Sequence, residues 1–336
     1  MRILVTGGLG YIGSHTCVEL LKNGYEVVVL DNLSNSKEEV KEKIEKITKK
    51  SIKFYFGDMI NEQLLDKIFE LEKIEAVIDF AAYKAVGESV TKPIEYYTNN
   101  VSTVLVLLKV MKKHEVKKLV FSSSATVYGD PERVPIKETD KIGGTTNPYG
   151  TSKLFVEQIL KDLYKSDYSW DIAILRYFNP IGADKSGLLG EDPNGIPANL
   201  MPYIVKVANK ELECLSVFGN DYPTKDGTGV RDYIHVVDLA KGHIKALEKL
   251  EKEQQGLYIY NLGTGKGYSV LDIINAFEKA NNVKVNYKIA GRRPGDIAEC
   301  YADVTKAKQE LKWKAELGIE DMCKDSYNYI LKRKNN

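Results

Sequence analysis

Cysteine is scarce in this chain: four in 336 residues, at positions 17, 214, 300 and 323, with no Cys-x-x-Cys spacing. That pattern excludes a disulfide framework and a cysteine zinc site, and fits reduced thiols in a cytosolic protein. Histidine is equally sparse. His15, His114, His235 and His243 have no metal-ligand spacing, so no metal is expected. Net charge is lacking too, with 48 Lys+Arg against 47 Asp+Glu mixed along the chain. A balance of +1 argues against nucleic acid or a membrane surface as the main partner. No apolar run approaches the roughly 20 residues that span a bilayer. The opening MRILVTGG is strand-like, with no charged and then apolar leader before it, so no signal peptide and a cytoplasmic location are expected. Internal repeats and a low-complexity tail are also missing.

What is present is an alternation of short apolar runs with helical periodicity. Residues 2–6, 26–30, 52–56, 76–80, 118–122 and 172–177 read as strands. They are continuous apolar runs, as expected for strands covered on both faces. Residues 37–50, 93–113 and 149–165 read as helices between them. The fold class expected is α/β, a Rossmann-type doubly wound parallel sheet. After Asn179 the texture becomes rich in Gly, Pro and Asn. A smaller α/β region is expected from there, formed by 180–230 and 264–336. Residues 231–263 are expected to return to the first domain, with 231–250 as a returning strand and helix.

Residues 6–13, TGGLGYIG, follow the first strand and open a helix. Gly7, Gly10 and Gly13 allow a tight turn and close backbone approach, and a helix N-terminus offers its free N–H groups to a pyrophosphate. The second strand ends at Asp31, where a carboxylate accepts from adenosine ribose hydroxyls and repels a 2′-phosphate. NAD is therefore the expected cofactor, although Lys37 is a nearby cation. Asp58 follows the third strand and could reach the adenine edge. FAAYK, residues 80–84, ends the fourth and brings Ala81 and Ala82 towards the same edge.

Tyr149 precedes Lys153 by one helical turn in NPYGTSK. With 21 Tyr and 41 Lys, about two or three such spacings arise by chance, so the surroundings must decide. Asn147 and Pro148 suit an N-cap and a first helical position. Ser122, Ser123 and Ser124 end the fifth strand on the same sheet edge. A phenol with a pKa near 10 is a poor base at neutral pH, and an adjacent ammonium favours its phenolate form. A serine hydroxyl there can hold an oxygen that alternates between alcohol and carbonyl. The set reads as a proton-transfer device.

The chain resembles the extended short-chain dehydrogenase/reductases, and within them the UDP-sugar 4-epimerases. The likeness covers essentially the whole chain and rests on TGGLGYIGSHT, VVVLDNLSNS, FSSSATVYG, NPYGTSK, LRYFNPIGA, GTGVRDYIHVVDLA, YNLGTGKGYSVLDI and RRPGDIAECYAD. It implies interconversion of UDP-galactose and UDP-glucose with retained NAD. In that reading Tyr149 moves the proton, Ser124 hydrogen-bonds the same oxygen, and Lys153 lowers the tyrosine pKa. It adds Tyr11, Ile12, Asn32, Ser36, Met59, Phe80, Lys84, Asn99, Ser122 and Phe178 to the NAD set. It implies UDP-sugar contacts at Asn179, Asn199, Leu200, Phe218, Arg231, Tyr233, Arg293, Asp296 and Cys300. Arg231 and Arg293 are two of only seven arginines, and guanidinium forks suit a diphosphate. Related 4,6-dehydratases carry an Asp-Glu pair after the catalytic hydroxyl, where this chain has Ala125 and Thr126. A UDP-uronate epimerase and a non-catalytic NAD-sensing module remain alternatives. Cys300 matches a position beside the sugar C2, where a small residue would admit N-acetylhexosamines. A homodimer through helices 93–113 and 149–165 is the last implication.

Overall fold

The computed structural model describes residues 1–193, 195, 197, 199–253, 255–293 and 295–334. The first half contains β1 (Arg2–Thr6), α1 (Tyr11–Lys22), β2 (Glu26–Asp31), α2 (Glu39–Thr48), β3 (Lys53–Phe56), α3 (Glu62–Glu72) and β4 (Ala76–Asp79). It continues with α4 (Val86–Thr91), α5 (Pro93–Tyr97), α6 (Thr103–Lys113), β5 (Lys118–Ser124), α7 (Pro148–Ser166) and β6 (Asp171–Tyr177). Beyond these lie β7 (Asn179–Ile181), α8 (Leu200–Ala208), β8 (Leu215–Phe218), β9 (Val230–His235), α9 (Val236–Lys252) and β10 (Leu257–Leu262). The chain closes with β11 (Gly267–Ser269), α10 (Val270–Asn281), β12 (Tyr287–Ala290), β13 (Glu299–Cys300), α11 (Thr305–Glu310) and α12 (Ile319–Lys334).

The central sheet has seven strands in the order β10-β6-β5-β4-β1-β2-β3, all parallel. Alternation along each strand explains why these strands read as unbroken apolar runs. Ile3, Val5, Val27, Val29 and Ile78 pack with Cys17, Leu20, Ile44 and Leu247 on one face. Leu4, Val28, Val77, Phe121 and Ile174 pack with Leu65, Phe69, Leu107, Met111 and Leu160 on the other. Both faces bury side chains, so neither parity can be polar. A third core joins Ile204, Val205, Val217, Ile274, Phe277, Met322 and Ile330 in the smaller region.

Two sequence expectations change. Residues 93–113 are not one regular helix: a π turn at Thr98–Ser102 separates α5 from α6. The buried Asn100 on that turn donates to Ser152 Oγ at 3.0 Å, accepts from Tyr83 N–H at 2.8 Å and donates to Tyr83 O at 3.0 Å. Those long-range bonds hold the wider turn in place, and such turns gather at functional sites. The returning strand is β10, not the expected 231–235. β9 sits inside a second sheet, parallel to β7 and β13 and antiparallel to β11. Asp232, buried on β9, accepts from the N–H groups of Thr264 (2.8 Å), Gly265 (2.9 Å) and Ala302 (3.2 Å), tying the strand to the smaller region. α9, which packs on α1, and β10 rejoin the first layer, with Ala307, Leu311 and Trp313 joining its core.

The strand order reverses between β1 and β4, whose last residues Thr6 and Asp79 lie opposite each other. A crevice opens beyond the carboxyl ends at such a reversal.

Candidate active site

One wall of that crevice is the glycine-rich turn. Gly10 caps α1 with no side-chain hydrogen bond, and the first turn of the helix holds no acid. Its positive end and free N–H groups are thus available to an anion. Gly7 has φ +63, and a Cβ there would lie 3.0 Å from Ala81 N. A Cβ on Gly13 would come within 2.3 Å of Gly7 O. The close approach of helix, turn and β4 therefore depends on these glycines.

Asp31 does more than the sequence suggested. One carboxylate oxygen accepts from Leu9 N–H at 3.0 Å, splinting the glycine turn. The other accepts from Leu33 N–H at 2.9 Å and Ser36 Oγ at 2.7 Å. Of about four lone-pair sites on a carboxylate, roughly one remains for a ligand. Asn32 donates to Asp58 at 2.9 Å, linking the ends of β2 and β3. Lys37, the cation that could have met a 2′-phosphate, instead pairs with Asp192 at 2.7 Å.

The other end of the crevice is the start of α7. Asn147 caps it by accepting from Gly150 N–H at 2.9 Å, with Pro148 at the first helical position. Lys153 is buried, and its Nζ donates to Ser122 O at 2.7 Å while lying 4.9 Å over the Phe121 ring. Ser124 Oγ accepts from Thr126 N–H at 3.2 Å and Thr126 Oγ1 at 2.9 Å. Burial pushes the Tyr149 phenol up, and its hydrogen bond with Ser124 draws it part of the way back. Burial pushes the Lys153 ammonium down to about 8, against the upward pull of Asp79. The downward influence on the phenol thus comes from Ser124, because the ammonium is turned to the Ser122 carbonyl.

A cleft of about 1530 Å³, counted with its open mouth, joins the two ends. Gly7, Gly10, Tyr11, Ile12, Gly13, Asp31, Asn32, Ser36, Asp58 and Met59 line one stretch. Phe80, Ala81, Ala82, Lys84, Asn99, Ser122, Tyr149 and Lys153 line the rest. Phe178 does not line it: it is buried with Tyr128, Ile136 and Cys300 in a separate cluster. The sequence reading missed the facing wall, residues Leu188–Pro193 with Tyr329. Glu191 reaches Lys84 at 3.2 Å and Asp192 reaches Lys37, so acids of the loop clasp the first layer. Tyr11 Oη donates to Gly182 O at 2.7 Å across the same gap. The adjacent acids in an otherwise Gly- and Pro-rich stretch were the available signal.

Four of the expected UDP-sugar residues lie on β9 or directly beside it. Asn179 stands opposite Tyr233 in β7, and Cys300 stands opposite Arg231 in β13. Arg231 donates to Val230 O at 2.8 Å. Arg293 pairs with Asp296 at 2.9 Å and lies 5.9 Å over the Phe218 ring, which is 42% exposed. Leu200 begins α8, and Asn199 donates to Glu191 at 2.8 Å. Burial raises the Cys300 thiol to about 11, while the Arg231 charge opposes the rise. All four cysteines are free thiols. Among the described residues no His, Cys, Asp and Glu cluster could hold a metal, and no helix is long and apolar enough to cross a membrane.

Comparison with known proteins agrees with this geometry. The profile of the family described as GDP-mannose 4,6 dehydratase matches residues 4–326. A UDP-glucose 4-epimerase of Pasteurella multocida is 63% identical over 329 residues, 98% of this chain and 97% of that protein. The crystal structure of UDP-glucose 4-epimerase from Bifidobacterium longum, in complex with NAD+ and UDP, superposes with a TM-score of 0.97 at 59% identity, over 100% of this chain and 99% of that one. The UDP-glucose-4-epimerase of Stenotrophomonas maltophila, with bound NAD and formylated UDP-arabinopyranose, gives 0.97 at 47% identity, over 100% and 99% of the two chains.

Proposed function

The chain belongs to the UDP-glucose 4-epimerases of the extended short-chain dehydrogenase/reductase family, and from that premise we propose that it interconverts UDP-galactose and UDP-glucose through a 4-keto sugar. The carrying observation is that Tyr149, Lys153 and Ser122 line the far end of the same cleft whose near end is the glycine turn. The glycine cradle, the uncapped helix N-terminus and the Asp31 carboxylate fit NAD, with Lys84 and Asn99 further along the wall. Bound there, NAD would supply the acceptor and then the donor of the C4 hydride.

The chain's own residues do the rest. Tyr149 takes the proton of the sugar 4′-hydroxyl and later returns it. Ser124 shares that oxygen and draws the phenol towards ionisation. Lys153 supplies a buried positive charge behind the phenol and is within reach of a ribose hydroxyl. The 4-keto sugar must turn over between the two transfers, so the grip belongs on the nucleotide. Arg231 and Arg293 would hold the diphosphate, with Phe218 and Tyr233 giving flat contacts to uracil. Asn179, Asn199, Leu200 and Asp296 complete the enclosure. Residues 1–179 with the returning segment then serve NAD, and the remainder serves the UDP-sugar.

Dehydration is disfavoured even though the family profile carries a dehydratase description. Ala125 and Thr126 offer no acid after the catalytic serine, and Thr126 is committed to Ser124. Cys300, small and buried beside Arg231, supports acceptance of N-acetylhexosamines. A homodimer is supported by Val90, Ile94, Leu105 and Phe155, which are exposed on α4 to α7, and by Phe155 stacked on Tyr97 at 5.8 Å. The free thiols support a reducing, cytoplasmic setting.

A proton NMR time course with UDP-galactose and no added NAD tests the reading. Growth of the UDP-glucose anomeric signal to a fixed ratio is expected. No change, even after NAD is supplied, would overturn it.

A further inference from the structure

Lys153 is the problem that the catalytic scheme leaves behind. Its ammonium is buried, accepted by one backbone carbonyl, and has no ion-pair partner within 4.0 Å among the described residues. An ammonium so placed costs free energy unless an opposite charge lies near. The groups around it come from four elements. Tyr149 is on its own helix. Phe121 and Ser122 are on β5. Tyr177 is on β6, hydrogen-bonded to His243 of α9. Asp79 is on β4, directly opposite Phe121, the ring that the ammonium covers. Of these, Asp79 is the carboxylate.

We propose that Asp79 is a positioning residue for the proton-transfer couple: its buried carboxylate, held by the Thr6 hydroxyl, keeps Lys153 charged and in place behind Tyr149. This rests on the reaction proposed above.

Asp79 is 2% exposed at the end of β4, one residue before the cleft wall begins at Phe80. Thr6 Oγ1, at the end of β1, donates to it, and in turn accepts from the Ala81 N–H at 3.4 Å. A hydroxyl that donates to a carboxyl favours its ionised form. Burial pulls the other way on both partners, raising the Asp79 carboxyl and lowering the Lys153 ammonium to about 8. Each is drawn back by the other's charge. His243 is held neutral by burial, near 4, so it supplies no competing cation. Asp79 is thus the charge that opposes the loss of the Lys153 proton to burial.

The test is Asp79→Asn, isosteric and uncharged, in protein purified with its bound NAD. Without the carboxylate, Lys153 loses its proton at lower pH. The alkaline limb of the kcat profile should move down by about one pH unit, and kcat at pH 7.5 should fall about threefold with KM changed less than about twofold. Thr6→Val removes only the supporting hydroxyl and should shift the limb in the same direction by less. It also serves if Asp79→Asn does not fold. A readout independent of the reaction is the titration of Lys153 in 13C-lysine-labelled protein, assigned by its absence in Lys153→Arg. It too should move down. An unmoved limb and an unmoved Lys153 titration in a folded variant would overturn the proposal. If the unsubstituted protein does not epimerise UDP-hexoses, the function reading fails, while the Lys153 titration still decides this one.

Discussion

Tyr149 is the residue on which the proposed chemistry turns. Tyr149→Phe keeps the ring and removes the only group that can carry the proton, so turnover should fall about a thousandfold while bound NAD is retained. Steady-state assay together with the nucleotide content of the denatured variant checks both halves. Cys300 sets the size of the sugar pocket in this reading. Cys300→Tyr should cut activity on N-acetylated substrates at least about tenfold more than on UDP-galactose, a contrast of over 1 kcal/mol in kcat/KM. Equal losses would remove Cys300 from that role. The residues legible in the sequence share one property, that their partners are local. The glycine turn, the Asn147 cap and the Tyr149–Lys153 spacing are each fixed within a few positions. Asp79, Asn100 and Glu191 were not legible, because each acts on a residue 17 or more positions away. The packing of Phe178 was not legible for the same reason: its neighbours Tyr128 and Cys300 are distant in sequence.

At the scale of elements, the decisive join is between α7 and β6. Arg176 donates to both oxygens of Glu157, at 2.9 and 2.6 Å, and to Tyr128 Oη at 2.9 Å. Ser123, beside Ser124, donates to Glu157 at 2.7 Å. These buried bonds fix the helix carrying Tyr149 and Lys153 against the strands below it. Burial alone would raise the Glu157 carboxyl, but the Arg176 and Ser123 bonds prevail and hold it below the usual range. A depressed carboxyl gives stability that is present above its unfolded pKa, near 4.5, and lost as pH falls below that. Glu157→Gln strands the Arg176 charge and should cost about 3 kcal/mol at pH 7, seen as a lower urea midpoint. The cost should shrink as pH falls below about 4.5, where the unfolded chain's carboxyl takes up a proton and the native one resists it; a pH-independent loss would contradict the account. The strands and helices of the first layer were legible because apolar runs and helical periods are local patterns. The sheet membership of β9 was not, since VRDYIH carries nothing that says which layer Asp232 will bond.

At the scale of the whole molecule, the two regions meet across the cleft through Lys84–Glu191, Lys37–Asp192 and Tyr11–Gly182. In the proposed division one region serves NAD and the other the UDP-sugar, so neither would carry the reaction alone. The proposed homodimer would use the exposed apolar residues of α4 to α7. Phe155→Glu places a charge in the exposed apolar patch of α7 and should convert a dimer to monomer in size-exclusion chromatography with light scattering. A wild-type monomer would end that proposal. The central claim, that one hydride leaves C4 and returns to it from the other face, is tested most directly with UDP-galactose deuterated at C4. The account predicts UDP-glucose that keeps the deuterium at C4 in ordinary water, with no added NAD. Loss of the label to solvent would contradict it, because C4 would then invert by exchange of a proton.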